Sequence, residues 1–234
     1  MRVLAVDVGG RHVKALVQGE AERRRFKSGP DLTPERMVEG TLELVEDWGF
    51  DRVSVGVPAP VVDGRVAREP VNLGEGWKDF DFEAAFGKPT KVLNDAAMQA
   101  VGSYEGGRML YLGLGTGLGS TMIVDETIVP MELAHLPFRR ATFEDYVGRA
   151  GRARLGRKRW QETVLQAVEH LRSALLPDYV VLGGGLADEL DAVPAYVRLG
   201  GNELAFVGGF RLWARRRPLR RSLPFGPQGP SSTR

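Results

Sequence analysis

The chain has 234 residues, 43% of them hydrophobic and 26% charged, a balance typical of globular proteins that argues against an intrinsically disordered chain. It has no cysteine, which excludes disulfides, thiol nucleophiles and cysteine-ligated zinc or iron–sulfur sites. The formal net charge of +2 does not indicate a nucleic-acid-binding protein, and no apolar run reaches the ~18 residues of a transmembrane helix. We therefore expect a cytoplasmic protein without a membrane or nucleic-acid partner.

The first part of the chain predicts strands around one helix. Two apolar runs flank Gly9-Gly10, as in a β-hairpin. Thr33 and Pro34 are typical of a helix N-cap and first turn. The predicted elements are, in order, strands 2–7 and 12–18, a helix from 33 to about 49, and strands 52–58 and 91–93.

The second part repeats this order. Asn94 or Asp95 is expected to cap a helix at 96–104. Strands at 109–114 and 120–124 again flank a glycine turn, and a helix at 159–176 precedes a strand at 179–182. The repetition predicts a duplicated α/β architecture with a cleft between two lobes, residues 1–94 and 95–210.

The C-terminal segment 211–234 differs from the rest in composition. It holds seven Arg and four Pro and no acidic residue, so residues 1–210 carry a formal charge of −5. Such a segment is expected to be a disordered basic tail. The alternative is an arginine-rich arm that binds a polyanion.

Three glycine-rich turns follow apolar strands, at 7–10, 113–120 and 183–185. Successive backbone N–H groups in such turns form concavities that bind anions, so three of them indicate phosphate binding. None is followed by the GK[ST] of a Walker loop. The turn at 115–119 leads into a β-like run, whereas a dinucleotide-binding turn must begin a helix.

Polar residues near these turns are candidates for the chemistry. Asp7 ends an apolar strand beside the first turn, where it could bind a metal–phosphate complex indirectly or only hydrogen-bond its own turn. Asp95 could be a catalytic group or a helix cap. Glu132 and His135 are three residues apart, a spacing that fits one side of a helical turn and suits hydroxyls of a polar ligand better than zinc.

Taken in order, the short motifs of residues 1–210 resemble those of the ROK-family sugar kinases, and most of all the bacterial polyphosphate glucokinases. The matching motifs are DVGG…K, GVPAPV, NLG…W, LNDA, LGLGTGLGS, ELAH and VVLGGG. The resemblance implies the actin/hexokinase-like (ribonuclease H-like) fold. It also implies transfer of a terminal phosphoryl group to the 6-hydroxyl of glucose or a related hexose, with Mg²⁺ accompanying the donor.

The resemblance further implies a role for each matching residue. Asp95 resembles the catalytic base, and Asp7 an indirect Mg²⁺ ligand. The expected sugar ligands are Asn72, Asn94, Asp95, Glu132 and His135. The expected phosphate or donor ligands are Asp7, Gly9, Gly10, Arg11, Lys14, Gly115, Thr116, Gly117, Gly183, Gly184 and Gly185.

The chain also departs from the family pattern. Arg11 stands where Thr or Ser is usual, which either retunes the donor site or leaves a catalytically impaired sugar- or phosphate-binding homologue. The family's zinc-binding cysteines are missing, as in polyphosphate-type members, so no zinc is expected. The donor stays open between ATP and polyphosphate, which the basic cluster at 149–159 could track. A homodimer is expected by analogy alone.

Overall fold

The structure, a computed structural model, describes residues 1–201 and 203–214. Its N-terminal part is built around a mixed five-stranded sheet of order β3-β2-β1-β4-β7. The elements up to residue 94 are β1 (Val3–Val8), β2 (His12–Val17), β3 (Arg24–Lys27), α1 (Pro34–Leu44), β4 (Arg52–Val57), β5 (Val61–Val62), β6 (Arg65–Val66), α2 (Phe82–Phe86) and β7 (Thr90–Asn94).

The C-terminal part contains a second five-stranded sheet, of order β10-β9-β8-β13-β14. Its elements are α3 (Asp95–Ser103), β8 (Arg108–Leu114), β9 (Leu118–Val124), β10 (Thr127–Met131), β11 (Pro137–Phe138), β12 (Ala141–Thr142), α4 (Phe143–Val147), α5 (Arg149–Leu155), α6 (Arg157–Leu175), β13 (Tyr179–Gly183), a 3₁₀ turn (Ala187–Glu189), β14 (Val197–Leu199) and α7 (Leu204–Ala214).

The two sheets share one topology. In each, the first strand is central, two antiparallel strands follow on one side and two parallel strands complete the other. Each sheet packs against its own apolar cluster, and a third cluster lies around α3 and α7. The duplicated α/β fold expected from the sequence is confirmed.

Helix α1 begins where the sequence predicts and ends earlier. The Thr33 side chain accepts from the backbone N–H of Arg36 and so caps the N-terminus. The last helical carbonyl, that of Leu44, accepts from the Arg24 guanidinium at 2.8 Å. Arg24 also stacks over the Trp48 ring at 3.9 Å, so one side chain contacts both the end of the helix and the segment that follows it.

Helix α7 crosses α3 at backbone contact, and glycine makes this crossing possible. A Cβ at Gly208 would lie 1.8 Å from the Met98 carbonyl oxygen, and one at Gly102 would lie 1.9 Å from the Leu204 carbonyl oxygen. The next residue, Gly209, packs directly on Ala5 of β1. The α3–α7 pair therefore joins the two sheets.

The expected tail begins too early, because α7 continues to Ala214. Arg211 donates to the carbonyls of Val101 and Gly102 at the end of α3, and Leu212 is buried. A guanidinium that satisfies helix-terminal carbonyls is part of the fold. The remaining expected tail, 215–234, lies outside the described residues. Within the described part of the chain, no helix is both long and apolar enough to span a membrane.

Candidate active site

The two candidate aspartates leave the N-terminal sheet at the same edge. Asp7 is near the end of β1 and Asp95 directly follows β7, with the parallel strand β4 between them. Gly56 of β4 pairs with Asp7, and its missing side chain leaves room for α3, since a Cβ there would lie 2.6 Å from the Met98 Cε and 3.5 Å from the Asp95 Cα. Carboxyl ends of parallel strands are where ligands bind in open α/β sheets.

Asp95 is partly buried, and its surroundings oppose its ionisation. Burial raises its pKa from 3.8 to about 7, with a further contribution from the negative charge of Asp7 and a smaller one from Glu132, while the backbone N–H of Ala96 acts in the opposite direction. A carboxyl group with a pKa close to neutral both accepts and releases a proton readily, which is the property required of a general base.

Asp7 is held by Lys14. The Lys14 Nζ donates to Asp7 Oδ2 at 3.0 Å, and the two residues face each other across the β1–β2 ladder. The Asp7 side chain is only 9% exposed, so this ion pair fixes its orientation. Lys14, expected among the donor ligands, has this carboxylate as its direct partner.

Asn94 is the N-cap of α3. Its Oδ1 accepts from the backbone N–H groups of Ala96 and Ala97, and its Nδ2 donates to the Ala59 carbonyl at 3.2 Å. Of the two alternatives for this helix start, Asn94 is the cap and Asp95 is the first helical residue. The bond to Ala59 leaves Asn94 one amide hydrogen for a ligand.

The first glycine-rich turn, at residues 7–10, joins β1 to β2 and is called the first phosphate loop after its expected role. The Gly9 N–H donates to the His12 carbonyl at 3.0 Å, which closes the turn. Ser28, after β3, donates its hydroxyl to the Gly9 carbonyl at 2.5 Å. Gly10 lies against Asn72, because a Cβ at Gly10 would be 3.4 Å from the Asn72 Cβ. Asn72, expected on the sugar side, thus also lies beside the loop.

The second glycine-rich turn, at residues 113–120, joins β8 to β9 and contacts α3; it is called the second phosphate loop after its expected role. A Cβ at Gly119 would lie 2.8 Å from the Ala96 Cβ, so the loop approaches the helix one residue after Asp95. Within the loop the Gly115 N–H donates to the Gly117 carbonyl at 3.1 Å. This internal hydrogen bond occupies one of the amides expected to bind phosphate, while Thr116 is exposed at the tip.

The third glycine loop lies beside the second, because β13 and β8 are parallel neighbours. Gly184 has φ +81°, and a Cβ there would lie 2.4 Å from the Leu114 carbonyl oxygen. Gly183 packs on Tyr111, a fully buried residue that the sequence did not single out. Burial raises the pKa of Tyr111, as do the nearby charges of Asp95 and Asp7, and its hydroxyl donates to the Gln99 side chain at 2.6 Å.

Glu132 directly follows β10, and His135 lies in the hydrogen-bonded turn 133–136, so the two residues do not share the expected helical turn. Ser120 holds this segment on β9 by accepting from the Leu133 N–H and donating to the Met131 carbonyl. These two hydrogen bonds fix the backbone on both sides of Glu132.

A further carboxylate, Glu144, lies between His135 and the second loop. His135 Nδ1 is 3.4 Å from Glu144 Oε1, and a Cβ at Gly117 would be 2.4 Å from the other Glu144 oxygen. No sequence motif of the family resemblance includes Glu144. The available signal was the helix-start pattern Thr142-x-x-Asp145, which forms a capping box and places Glu144 in the first turn of α4.

Two of the six cations in the basic cluster at 149–159 form ion pairs. Arg152 pairs with Glu189 and Arg157 with Asp191, each at 2.5 Å. Both acids follow the third glycine-rich turn and lie about 30 residues after the cluster in the sequence. This pairing weakens the cluster as a track for an anionic chain.

The donor set fits a magnesium ion that arrives with phosphate. Among the described residues, no group of three or more His, Cys, Asp or Glu side chains could hold a metal ion by itself. Mg²⁺ is usually bound by one or two carboxylates together with substrate phosphates and water. Asp7, at the tip of a strand beside a phosphate loop, meets this requirement.

The sequence of residues 3–130 matches the family model described as "ROK family". The chain belongs to the ROK family. The polyphosphate glucokinase of Mycobacterium tuberculosis is 26% identical over 208 residues, which cover 80% of this chain and 78% of that protein. The expected relation to the ROK family and its polyphosphate glucokinases is confirmed.

Solved structures agree with this fold. The inorganic polyphosphate/ATP-glucomannokinase of Arthrobacter sp. strain KM superposes with a TM-score of 0.76 at 25% identity, over 88% of this chain and 96% of that one. A ROK glucokinase of Streptomyces griseus, solved with glucose and AMPPNP, has a TM-score of 0.69 at 18% identity over 89% and 97% of the two chains. These neighbours confirm the actin/hexokinase-like fold expected from the sequence.

Proposed function

We propose that this ROK sugar kinase transfers the terminal phosphoryl group of polyphosphate, ATP or both to the 6-hydroxyl of glucose or a related hexose. The hexose binds between an N-terminal lobe, residues 1–94, and a C-terminal lobe, residues 95–210. The observation that carries the proposal is the position and pKa of Asp95, which lies at the helix start that Gly56 of the N-terminal sheet and Gly119 of the C-terminal sheet both approach.

Asp95 is the catalytic base in this proposal. A sugar hydroxyl is a poor nucleophile, and a carboxylate within hydrogen-bond reach removes its proton as the bond to phosphorus forms. The raised pKa of Asp95 makes the carboxylate a stronger base than a solvated aspartate. Glu132 and His135 bind sugar hydroxyls, together with Asn72 and the remaining amide hydrogen of Asn94. Glu144, beside His135, adds one more acceptor to this sugar side.

The phosphate loops hold the donor. Their backbone N–H groups and Arg11 neutralise phosphate charge, while Lys14 keeps the Asp7 carboxylate oriented. Mg²⁺ bound with the donor would neutralise the charge that develops on the transferred phosphoryl group. Since positioning and charge neutralisation account for most of phosphoryl-transfer catalysis, the fixed geometry of these groups is the main contribution of the fold.

Donor-resolved kinetics test the proposal. Purified protein with glucose should release glucose 6-phosphate with polyphosphate or ATP, and Asp95→Asn should lower kcat by ~10²–10⁴-fold, the usual size of a general-base contribution. Glucose binding to Asp95→Asn, measured by titration calorimetry, should persist. Asp188→Asn, an exposed aspartate outside the proposed sugar side, is the matched control. Turnover of Asp95→Asn close to wild type would remove Asp95 from this role. Glucose binding without transfer by the wild type would instead indicate the impaired homologue.

A further inference from the structure

The edge of the N-terminal sheet carries basic side chains beside the first phosphate loop. Strand β3 pairs with β2 so that Lys27 faces His12 and Arg25 faces Lys14. Directly opposed residues of antiparallel strands lie on the same face of a sheet, so Arg25 and Lys27 share the face of Lys14. With Arg11 at the end of the loop, they form the basic strip: Arg11, Arg25 and Lys27.

The strip lies on the same face of the sheet as the site. Lys14 reaches Asp7 on this face, at 3.0 Å. Phe26, between the two basic residues of β3, points the opposite way and packs into the core beneath α1, against Gly40. Arg25 and Lys27 are therefore turned away from the core and are exposed.

The strip is continuous with the first phosphate loop. The Ser28 N–H donates to the Arg11 carbonyl at 3.1 Å, and the Ser28 hydroxyl donates to the Gly9 carbonyl. Lys27 is thus one residue from a direct contact with the loop. Arg25 lies about 7 Å further along the edge, because a strand rises ~3.3 Å per residue. Positive charge therefore extends outward from the place where a terminal phosphate would be held.

The charges of the basic strip are not neutralised by ion pairs, in contrast to those of Arg24, Arg152 and Arg157. Among residues 1–201 and 203–214, no ion pair engages Arg11, Arg25 or Lys27. Arg24, next in sequence on the opposite face, is paired with Asp47. Lone exposed cations repel one another, and a polyanion laid along them relieves that repulsion.

We propose that the basic strip binds the successive phosphates of an inorganic polyphosphate chain whose terminal phosphate occupies the first phosphate loop. This inference rests on the proposed function, since it assigns a path to one of its donors. A long chain presents charge at every phosphate and matches a strip of cations at intervals. ATP ends after three phosphates in an uncharged nucleoside, so it gains little from cations further along β3.

The test compares donors of different length. The double variant Arg25→Gln/Lys27→Gln should raise KM for long-chain polyphosphate at least tenfold, since each charge contact to a polyanion contributes about fivefold in affinity. KM for tripolyphosphate, ATP and glucose should stay within about twofold, as should kcat. The control Arg36→Gln/Lys88→Gln removes two exposed charges elsewhere in the same lobe and should leave all constants unchanged.

Other outcomes separate this inference from the proposed function. An unchanged KM for long-chain polyphosphate in the strip variant overturns the inference. Transfer by the wild type from ATP but not from polyphosphate also overturns it, while the proposed sugar kinase function is retained. If no donor supports transfer, titration with long-chain polyphosphate decides: equal affinity of wild type and strip variant overturns the inference. Binding of a single-stranded oligonucleotide of equal charge with the same affinity also overturns it, in favour of a nucleic-acid surface.

Discussion

Replacing Asp95 by Asn should stabilise the unliganded protein, and the gain should depend on pH. The folded-state pKa of about 7 lies above the ordinary value of 3.8, so the unfolded chain releases this proton more easily. The resulting penalty on folding is absent below pH 3.8, grows as the pH rises to 7 and is constant above it. At 1.36 kcal/mol per pKa unit the ceiling is about 4 kcal/mol.

Solvent access to the cleft reduces that ceiling, and we expect a gain of about 1–2 kcal/mol at pH 8. For a protein of this size the gain corresponds to a rise in Tm of about 3–6 °C. The amide keeps the size of the carboxyl group, and Asn94 rather than Asp95 caps the helix, so the cap is retained. Asp95 thus exemplifies an active-site group that lowers stability.

Thermal denaturation of both proteins at pH 5.5 and pH 8, without sugar, donor or Mg²⁺, measures the effect. The gain at pH 8 should exceed that at pH 5.5, whereas the exposed control Asp188→Asn should shift Tm by less than about 1 °C at both values. No gain at pH 8, or one of equal size at both pH values, would refute the assignment of a raised pKa to Asp95.

Three further predictions concern the same elements. The value of kcat/KM for glucose should rise about tenfold per pH unit below pH 7 and level off above it. Asp7→Asn should lower the midpoint of this pH profile, because the Asp7 charge raises the pKa of Asp95. An unmoved midpoint would contradict this coupling between the two aspartates. Arg11→Thr should raise KM for polyphosphate about fivefold through the lost charge, whereas a gain in activity would show that arginine impairs the loop. Gly208→Ala should cost about 2–4 kcal/mol in urea unfolding because its Cβ would collide with a backbone carbonyl; Gly49→Ala, with open space around it, is the control.

The duplicated fold could be predicted from the sequence because its signals are local. Apolar strands that end in glycine turns occur in the same order in both halves, and the caps of α1 and α3 are adjacent in sequence to their helices. The helix α7 could not be predicted, because Gly208 and Gly209 lower its helical propensity. Its reason lies in α3, about 110 residues earlier, whose backbone needs that space.

The sequence predicts which residues form the candidate site, but it does not predict which groups they pair with. Strand order brings Asp7 and Asp95 to one edge, and motif order is sufficient to find them. The sequence does not show that Lys14 is bound to Asp7, or that acids after the third loop pair with Arg152 and Arg157. Such pairings depend on chain segments that are distant in sequence, which single motifs do not describe.

The start of α3 is in contact with both halves of the molecule, through Gly56 on one side and Gly119 on the other. In any rotation of the two sheets about the α3–α7 pair, atoms move in proportion to their distance from that axis. The carboxylate of Asp95 lies close to this axis, whereas the basic edge of β3 lies far from it. A rotation that opens or closes the cleft would therefore displace this edge, and a donor chain bound along it, much further than the base.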